Sequence, residues 1–384
     1  MKLSTHREGT GKLVQRTLAL GADQRPVRVL LLSRYGSLGA SSRLRTQQFL
    51  PHLRSHGFEV SVSVLLDDDY IDRLYSGRRP NIPRVALAYC KRVAQLMRSG
   101  MFDLLWVERE AFPWLCAPAE LHMLRAMGVP YVLELDDAVF HRYSDHRFAM
   151  VRHGLGDKIE QLMIGARLVI AGSEYIAGHA LRAGASWVER VPTVVDMERY
   201  GSASPERHRF TIGWIGTPAT VQFLRIVADP LREFFRRHDD AQLMVVGVKA
   251  EQIEGIDIVA RDWTEATECQ ELAGFDVGIM PLTDGPFEKG KCGYKLIQYG
   301  AAGKPVIASP VGSNRIIVQD GVNGFLAADD REWIDNLELL YQNPGLRRSM
   351  GAAGRAVVER GFSLQAIAPR VEYLLRRAAR KQES

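Results

Sequence analysis

Between Asp276 and Leu326 the chain runs DVGIMPLTDGPFEKGKCGYKLIQYGAAGKPVIASPVGSNRIIVQDGVNGFL, and no other stretch limits the fold so tightly. Asp276–Leu282 is an apolar run punctuated by Gly and Pro, the pattern of a buried strand opening into a loop. The loop TDGPFEKG leads to a segment with Tyr294, Ile297 and Ala301 at helical spacing, closed by Gly303. Lys304–Ser309 reads as a second short buried strand, with Pro305 near its start where no ladder donor is lost. Lys291 and Lys295 are four apart and so share one face at the start of that helix. Two ammonium groups beside free backbone N–H donors and the positive dipole end suit a phosphate or diphosphate. A solvated lysine face on one more βαβ unit is the other reading of the same pair.

The same alternation of strand and helix fills the chain. Val27–Ser33, Glu59–Leu66, Asp103–Val107, Pro130–Leu135 and Arg167–Ala171 are strand-like in the first half, and Phe210–Ile215 and Ala241–Val246 restart the pattern in the second. The expected fold class is therefore α/β: two Rossmann-like domains of parallel sheet covered on both faces, with a ligand cleft between them. The expected organisation is a mobile tail (1–25), a first domain (26–205), a second (206–368) and a terminal helix (369–384) crossing back onto the first. The loop after Val27–Ser33 is rich in small residues but does not fit G-x-G-x-x-G, so no dinucleotide site is assigned. A helix over Arg43–His56 is expected to kink or restart at Pro51. Asp67-Asp68-Asp69 reads as a solvated turn rather than a metal site.

Ligands of such sheets sit beyond the carboxyl ends of the strands. That places Gly39, Arg43 and Arg45 after the first strand, Glu108-Arg109-Glu110 after the third and Asp136-Asp137 after the fourth along one mouth. In the second half Gly216 and Thr217 end a strand, with Thr217 expected as N-cap and Pro218 at the first helical position of a phosphate-binding helix.

With 46% hydrophobic and 25% charged residues, the chain has the composition of a globular protein. No apolar run is long enough to span a bilayer, and no signal-peptide core precedes the first strand. The four cysteines show neither C-x-x-C nor metal-ligand spacing, which fits a reducing compartment. The expected location is the cytoplasm, with peripheral contact at the inner face of a membrane. The net charge of +5 falls mainly in the first half. Arg84–Arg98 is its clearest amphipathic helix: Val85, Tyr89, Val93, Leu96 and Met97 form one face, and Arg84, Lys91 and Arg98 a basic stripe opposite. That stripe is either the wet side of a core-packing helix or a surface for an anionic membrane or acceptor. No nucleic-acid module is found, and none is expected as a partner.

The segment Ala301-Ala302-Gly303-Lys304-Pro305-Val306-Ile307-Ala308-Ser309, followed by Gly321-Val322-Asn323-Gly324-Phe325, resembles the donor-sugar region of group-1 (family 4) retaining glycosyltransferases of the GT-B fold. The resemblance implies transfer of a sugar from a nucleotide-diphospho-sugar, serving as donor substrate without a further cofactor or metal. The acceptor it implies is a polysaccharide, lipid-linked or protein glycan, with configuration retained at the transferred carbon. It also implies roles. Lys291, Lys295, Gly216 and Thr217 hold the diphosphate, Arg43, Arg45, Gly39 and Glu108 belong to the acceptor or phosphate side, and Gln298 replaces the ribose-binding glutamate. Asp136-Asp137 stands where many members have His-Asp. The position of the family's other glutamate, separated from Gln298 by seven residues, is Gly290. Glu288, Asp284 or Lys291 would take over its sugar contact. An inactive GT-B-like binding or scaffold protein and a sugar-nucleotide 2-epimerase are the alternative readings.

Overall fold

A computed structural model describes residues 25–201, 209–249, 256 and 258–380. The expected tail thus lies almost wholly outside the described residues, as do residues 202–208, where the two expected domains meet. The first half forms β1 (Val27–Tyr35), β2 (Phe58–Leu66), β3 (Leu104–Glu108), β4 (Tyr131–Leu135), β5 (Leu168–Ala171) and β6 (Val188–Arg190), a sheet ordered β2-β1-β3-β4-β5-β6. The second half forms β7 (Phe210–Ile215), β8 (Ala241–Val246), β9 (Ile258–Arg261), β10 (Val277–Met280), β11 (Val306–Ala308) and β12 (Gly324–Leu326), ordered β12-β11-β10-β7-β8-β9. Every strand pair in both sheets is parallel. This is the two-domain α/β architecture expected of the alternating pattern.

Parallel strands need helical crossovers, which cover both faces and make the strands uniformly apolar. β3, β4, β5, β7, β10 and β11 are buried along their whole length. Alternate residues feed opposite cores: Leu30 and Leu32 join one cluster, Val29 and Leu31 another. In each sheet the strand order reverses beside its first strand, between β1 and β3 and between β7 and β10. The loops after β1 and β7 leave at those two switch points, where an open parallel sheet leaves a crevice for a ligand.

The last helix, Leu364–Ala379, starts five residues before the expected Pro369, because the Ser363 side chain accepts from the Ala366 N–H and caps it there. Backbone hydrogen bonds Val195 N–H to Phe362 O and Leu364 N–H to Val195 O mark the crossing. Ile367, Val371, Leu374 and Leu375 then enter the core of the first sheet with Trp106, Val132 and Ile170. The chain thus passes between the domains twice, and the second passage is fastened by this apolar stripe.

Several local expectations change. The stretch Arg43–His56 is broken into Ala40–Arg45, a 3-10 turn at Gln47–Phe49, and Leu50–Ser55, which restarts at Pro51. No α-helix follows Pro218: the chain makes a turn and the 3-10 segment Val221–Val227, and the α-helix begins at Ala228. Thr217 is therefore not its N-cap; its N–H is bonded to Thr220 Oγ1 at 3.1 Å. After β9 the next helix is Glu268–Ala273. The three aspartates are structural: Asp67 caps Asp68–Tyr75, Asp68 accepts from the Leu38 N–H and the Ser37 hydroxyl, and Asp69 pairs with Arg73 and Arg84.

Candidate active site

A cavity of about 960 Å³ lies between the two switch-point loops and is lined by both domains. Its walls include Arg43, Asp136 and Asp137 from the first domain and Gly216, Thr217, Lys291, Lys295 and Gln298 from the second. The floor on the second side is tightly drawn. A side chain at Gly216 would strike Trp214, and one at Gly247, whose φ is +93°, would lie 2.2 Å from the Gly216 carbonyl oxygen. Glycine at both points lets the loops after β7 and β8 touch and leaves backbone at the cavity wall.

Lys291 and Lys295 converge here, though not from one helical face. The helix is Tyr294–Ala301, and Gly293 before it is left-handed at φ +69°, so Lys291 lies in the preceding loop. Lys291 Nζ is 5.1 Å from the Phe287 ring and 5.7 Å from the Phe223 ring; Lys295 Nζ is 5.0 Å above Trp214. Burial, and then the neighbouring Lys291, push Lys295 down to about 7, against the pull of Asp137. Among the described residues neither lysine makes a direct ion pair, and the opposite charge acting on Lys295 is that of Asp137.

The first domain supplies carboxylates held by one guanidinium that sequence reading placed at the mouth but gave no role. Arg109, with φ +63°, donates from Nε to Asp136 at 2.8 Å, and from Nη2 to Asp137 at 3.3 Å and the Ser41 hydroxyl at 2.6 Å. Burial alone would raise Asp136; Arg109 and the Ser41 hydroxyl outweigh it and hold the carboxyl below its usual range. Asp137 keeps a quarter of its side chain exposed and is the more open of the two.

Other candidates serve the frame. Arg45 is buried and grips Glu134 through Nε and Nη2 at 2.9 and 2.6 Å, with Thr193 and the Val191 carbonyl completing its shell. It lines the cavity with its charge already paired to Glu134. Glu108 is 1% exposed and accepts from Ser42, Ser33 and the Arg34 N–H, so it braces the first loop rather than facing a ligand. Gly39 precedes the helix Ala40–Arg45, where a Cβ would strike Tyr35. Arg43 does reach the cavity, its guanidinium 4.9 Å over the Trp263 ring of the other domain.

The loop Gly285–Gly293 is seated against the first domain. Ser173 Oγ donates to Gly290 O at 3.1 Å, and Cys292 Sγ to Asp136 O at 2.7 Å. A Cβ at Gly290 would come within 2.4 Å of the Ala138 methyl. No side chain fits where the resembling family carries its glutamate. Two of the three expected substitutes lie away from the main cleft. Glu288 turns back over Gly285, and Asp284 pairs with Lys289 at 3.4 Å beside a separate cavity of about 520 Å³. Of the three, only Lys291 lines the main cleft.

Residues 209–343 match the model of the family described as "Glycosyl transferases group 1". The D-inositol 3-phosphate glycosyltransferase of Frankia alni is 26% identical over 330 residues, spanning 73% of this chain and 76% of that protein. The phosphatidyl-myo-inositol mannosyltransferase of Mycobacterium tuberculosis is 25% identical, over 70% of this chain and 72% of its own. The crystal structure of Anabaena HepE in complex with UDP and glucose superposes with a TM-score of 0.70 at 17% identity, covering 91% of this chain and 100% of that one. Sucrose-phosphate synthase from Thermosynechococcus elongatus gives 0.67 at 15%, covering 92% and 99%. The two facing sheets are the GT-B fold, and the protein is a glycosyltransferase. Over residues 209–343 its second domain resembles the group 1 glycosyltransferases.

Proposed function

We propose that the protein transfers a hexosyl group from a nucleotide-diphospho-sugar to a hydroxyl of a polysaccharide, lipid-linked or protein glycan, with retention. The observation that carries this reading is the pair Lys291 and Lys295 in the interdomain cavity, facing Asp137 across it. The lysines neutralise the departing diphosphate, and the wall at Gly216–Thr217 lets backbone approach it. A bound diphosphate raises the pKa of Lys295 and so recruits a second full charge as the bond breaks. Asp137, steadied by Arg109, faces the sugar as it becomes cationic. The acceptor then attacks from the face that the leaving phosphate vacates, and a phosphate oxygen takes its proton. That HepE binds UDP and glucose on the same fold supports the donor class.

We also place a membrane or anionic acceptor on the helix Ile82–Leu96. Its outward side differs from expectation. Met97 just beyond its end is 77% exposed, as are Ile82 and Leu87 at 67% and 54%. Arg84 is paired with Asp67 and Asp69, while Arg92 is buried on the carbonyls of Ser33, Ser63 and Ala111. Exposed apolar side chains flanked by Lys91 and Arg98 make a surface-seeking face. No described helix is long and apolar enough to cross a membrane.

Titrating UDP, GDP, dTDP and ADP into wild type and Lys291→Ala tests the donor site. One nucleotide should bind wild type well, and the variant one to two decades more weakly, for a charge-assisted contact of about 1.5–3 kcal/mol. Equal dissociation constants would remove the lysine from the site.

A further inference from the structure

Away from the cleft, the geometry points to a zinc-type metal site formed by His52, His56 and Glu372, which would pin the returning C-terminal helix to the first domain. A ring nitrogen of each histidine and a carboxylate oxygen of Glu372 lie within 4.8 Å of one another. His52 Nε2 and Glu372 Oε2 are already 3.2 Å apart. That is close to the ~3.3 Å between ligands of a tetrahedral zinc with bonds of about 2.0–2.1 Å.

The supporting contacts match as well. His56 Nδ1 lies 2.8 Å from the His52 carbonyl oxygen, so it carries the proton and donates, which leaves the Nε2 lone pair for a metal. The other Glu372 oxygen accepts from Arg376 at 3.1 Å, which turns Oε2 toward His52. Arg376 also donates to the His56 carbonyl, so one guanidinium orders both sides of the cluster. Its positive charge weakens cation binding, and the set of three ligands leaves the fourth position to water. The rings of His52 and His56 stack at 4.1 Å and 22°. One ring must turn for both lone pairs to meet an ion, and His56 is exposed, with room to do so. Two imidazoles and one carboxylate select Zn²⁺ or Co²⁺ over Mg²⁺, which prefers oxygen ligands in an octahedron.

The test uses the full chain without an affinity tag, with the exposed thiols removed as Cys90→Ser and Cys116→Ser, since these would bind zinc themselves. Titrating ZnCl₂ by calorimetry should show one equivalent bound and a higher melting temperature, and Co²⁺ should give a tetrahedral visible spectrum. His56→Ala and Glu372→Gln should each lower zinc affinity by more than the roughly 10–100-fold that loss of a supporting partner costs. Nucleoside diphosphate binding should be unchanged in both. MgCl₂ should have no effect. Absence of zinc binding at about 100 μM, or binding unchanged in His56→Ala and Glu372→Gln, would overturn the assignment.

Discussion

Lys295→Met separates what a residue does for function from what it costs in stability. The ammonium has an ordinary pKa of 10.5, and burial together with Lys291 lowers it to about 7. Between those values the unfolded chain holds a proton that the folded chain has released, so stability rises with pH from about 7 to about 10.5. Below 7 both states are charged and the full penalty applies; above 10.5 both are neutral and it vanishes. At about 1.4 kcal/mol per unit the shift amounts to almost 5 kcal/mol. Water reaching this half-buried chain reduces that to on the order of 2–3 kcal/mol. Methionine keeps the aliphatic length over Trp214 and removes the charge. The variant should melt several degrees higher than wild type at pH 7, with the gain shrinking toward pH 10. Its affinity for nucleoside diphosphate should drop one to two decades, for a lost charge-assisted contact of about 1.5–3 kcal/mol. In wild type, diphosphate affinity should weaken as pH rises above 7, because binding must then restore the proton. Scanning fluorimetry and calorimetric titration from pH 6.5 to 9.5 read all three. A variant less stable than wild type at pH 7 that still binds diphosphate with wild-type affinity would refute the reasoning.

Gly290→Ala drives a methyl into Ala138 at 2.4 Å; overpacking of about 1–3 kcal/mol should open the interdomain contact and cut turnover more than it lowers the second domain's melting. Arg109→Ala strands Asp136 and Asp137 without their guanidinium, so it should destabilise by about 3 kcal/mol and abolish transfer, read by urea denaturation and by product assay. Changing Lys91 and Arg98 together to Gln should weaken sedimentation with anionic liposomes and flatten its salt dependence; unchanged sedimentation returns that helix to a purely structural role.

Most of the strands that sequence made legible (β1, β3 to β5, β7, β8, β10 and β11) have continuous apolar runs because both faces are buried, while β2 is legible from its alternation, with Glu59, Ser61 and Val64 exposed. The remaining strands, β6, β9 and β12, have three or four residues and sit at or near sheet edges, too short for a period to show. The lysine pair could be singled out from its four-residue spacing at a helix start, and the two aspartates from their place just after β4; the structure brings all four to one cavity. Their surroundings could not. Gly293 in a left-handed turn takes Lys291 off the helix, and nothing local reveals it. Arg45 and Arg109 look alike as arginines near a mouth. Only the fold shows that one is spent on Glu134, 89 residues away, while the other anchors the site's carboxylates. The glutamate missing at Gly290 first read as a loss within the donor site. In the structure it is a seam between domains that leaves no room for a side chain.

Hydrolysis of nucleotide-sugars without acceptor tests the central claim most directly. Wild type, Lys291→Ala and Asp137→Asn would be incubated with UDP-, GDP-, dTDP- and ADP-sugars and the released nucleoside diphosphate quantified. The account predicts slow release from one donor by wild type, with the anomeric configuration of the freed sugar retained. It predicts much slower release by both variants, with nucleotide affinity reduced only in Lys291→Ala. Nucleotide binding without release from any donor, in wild type as in the variants, would contradict it and leave a binding protein built on a transferase fold.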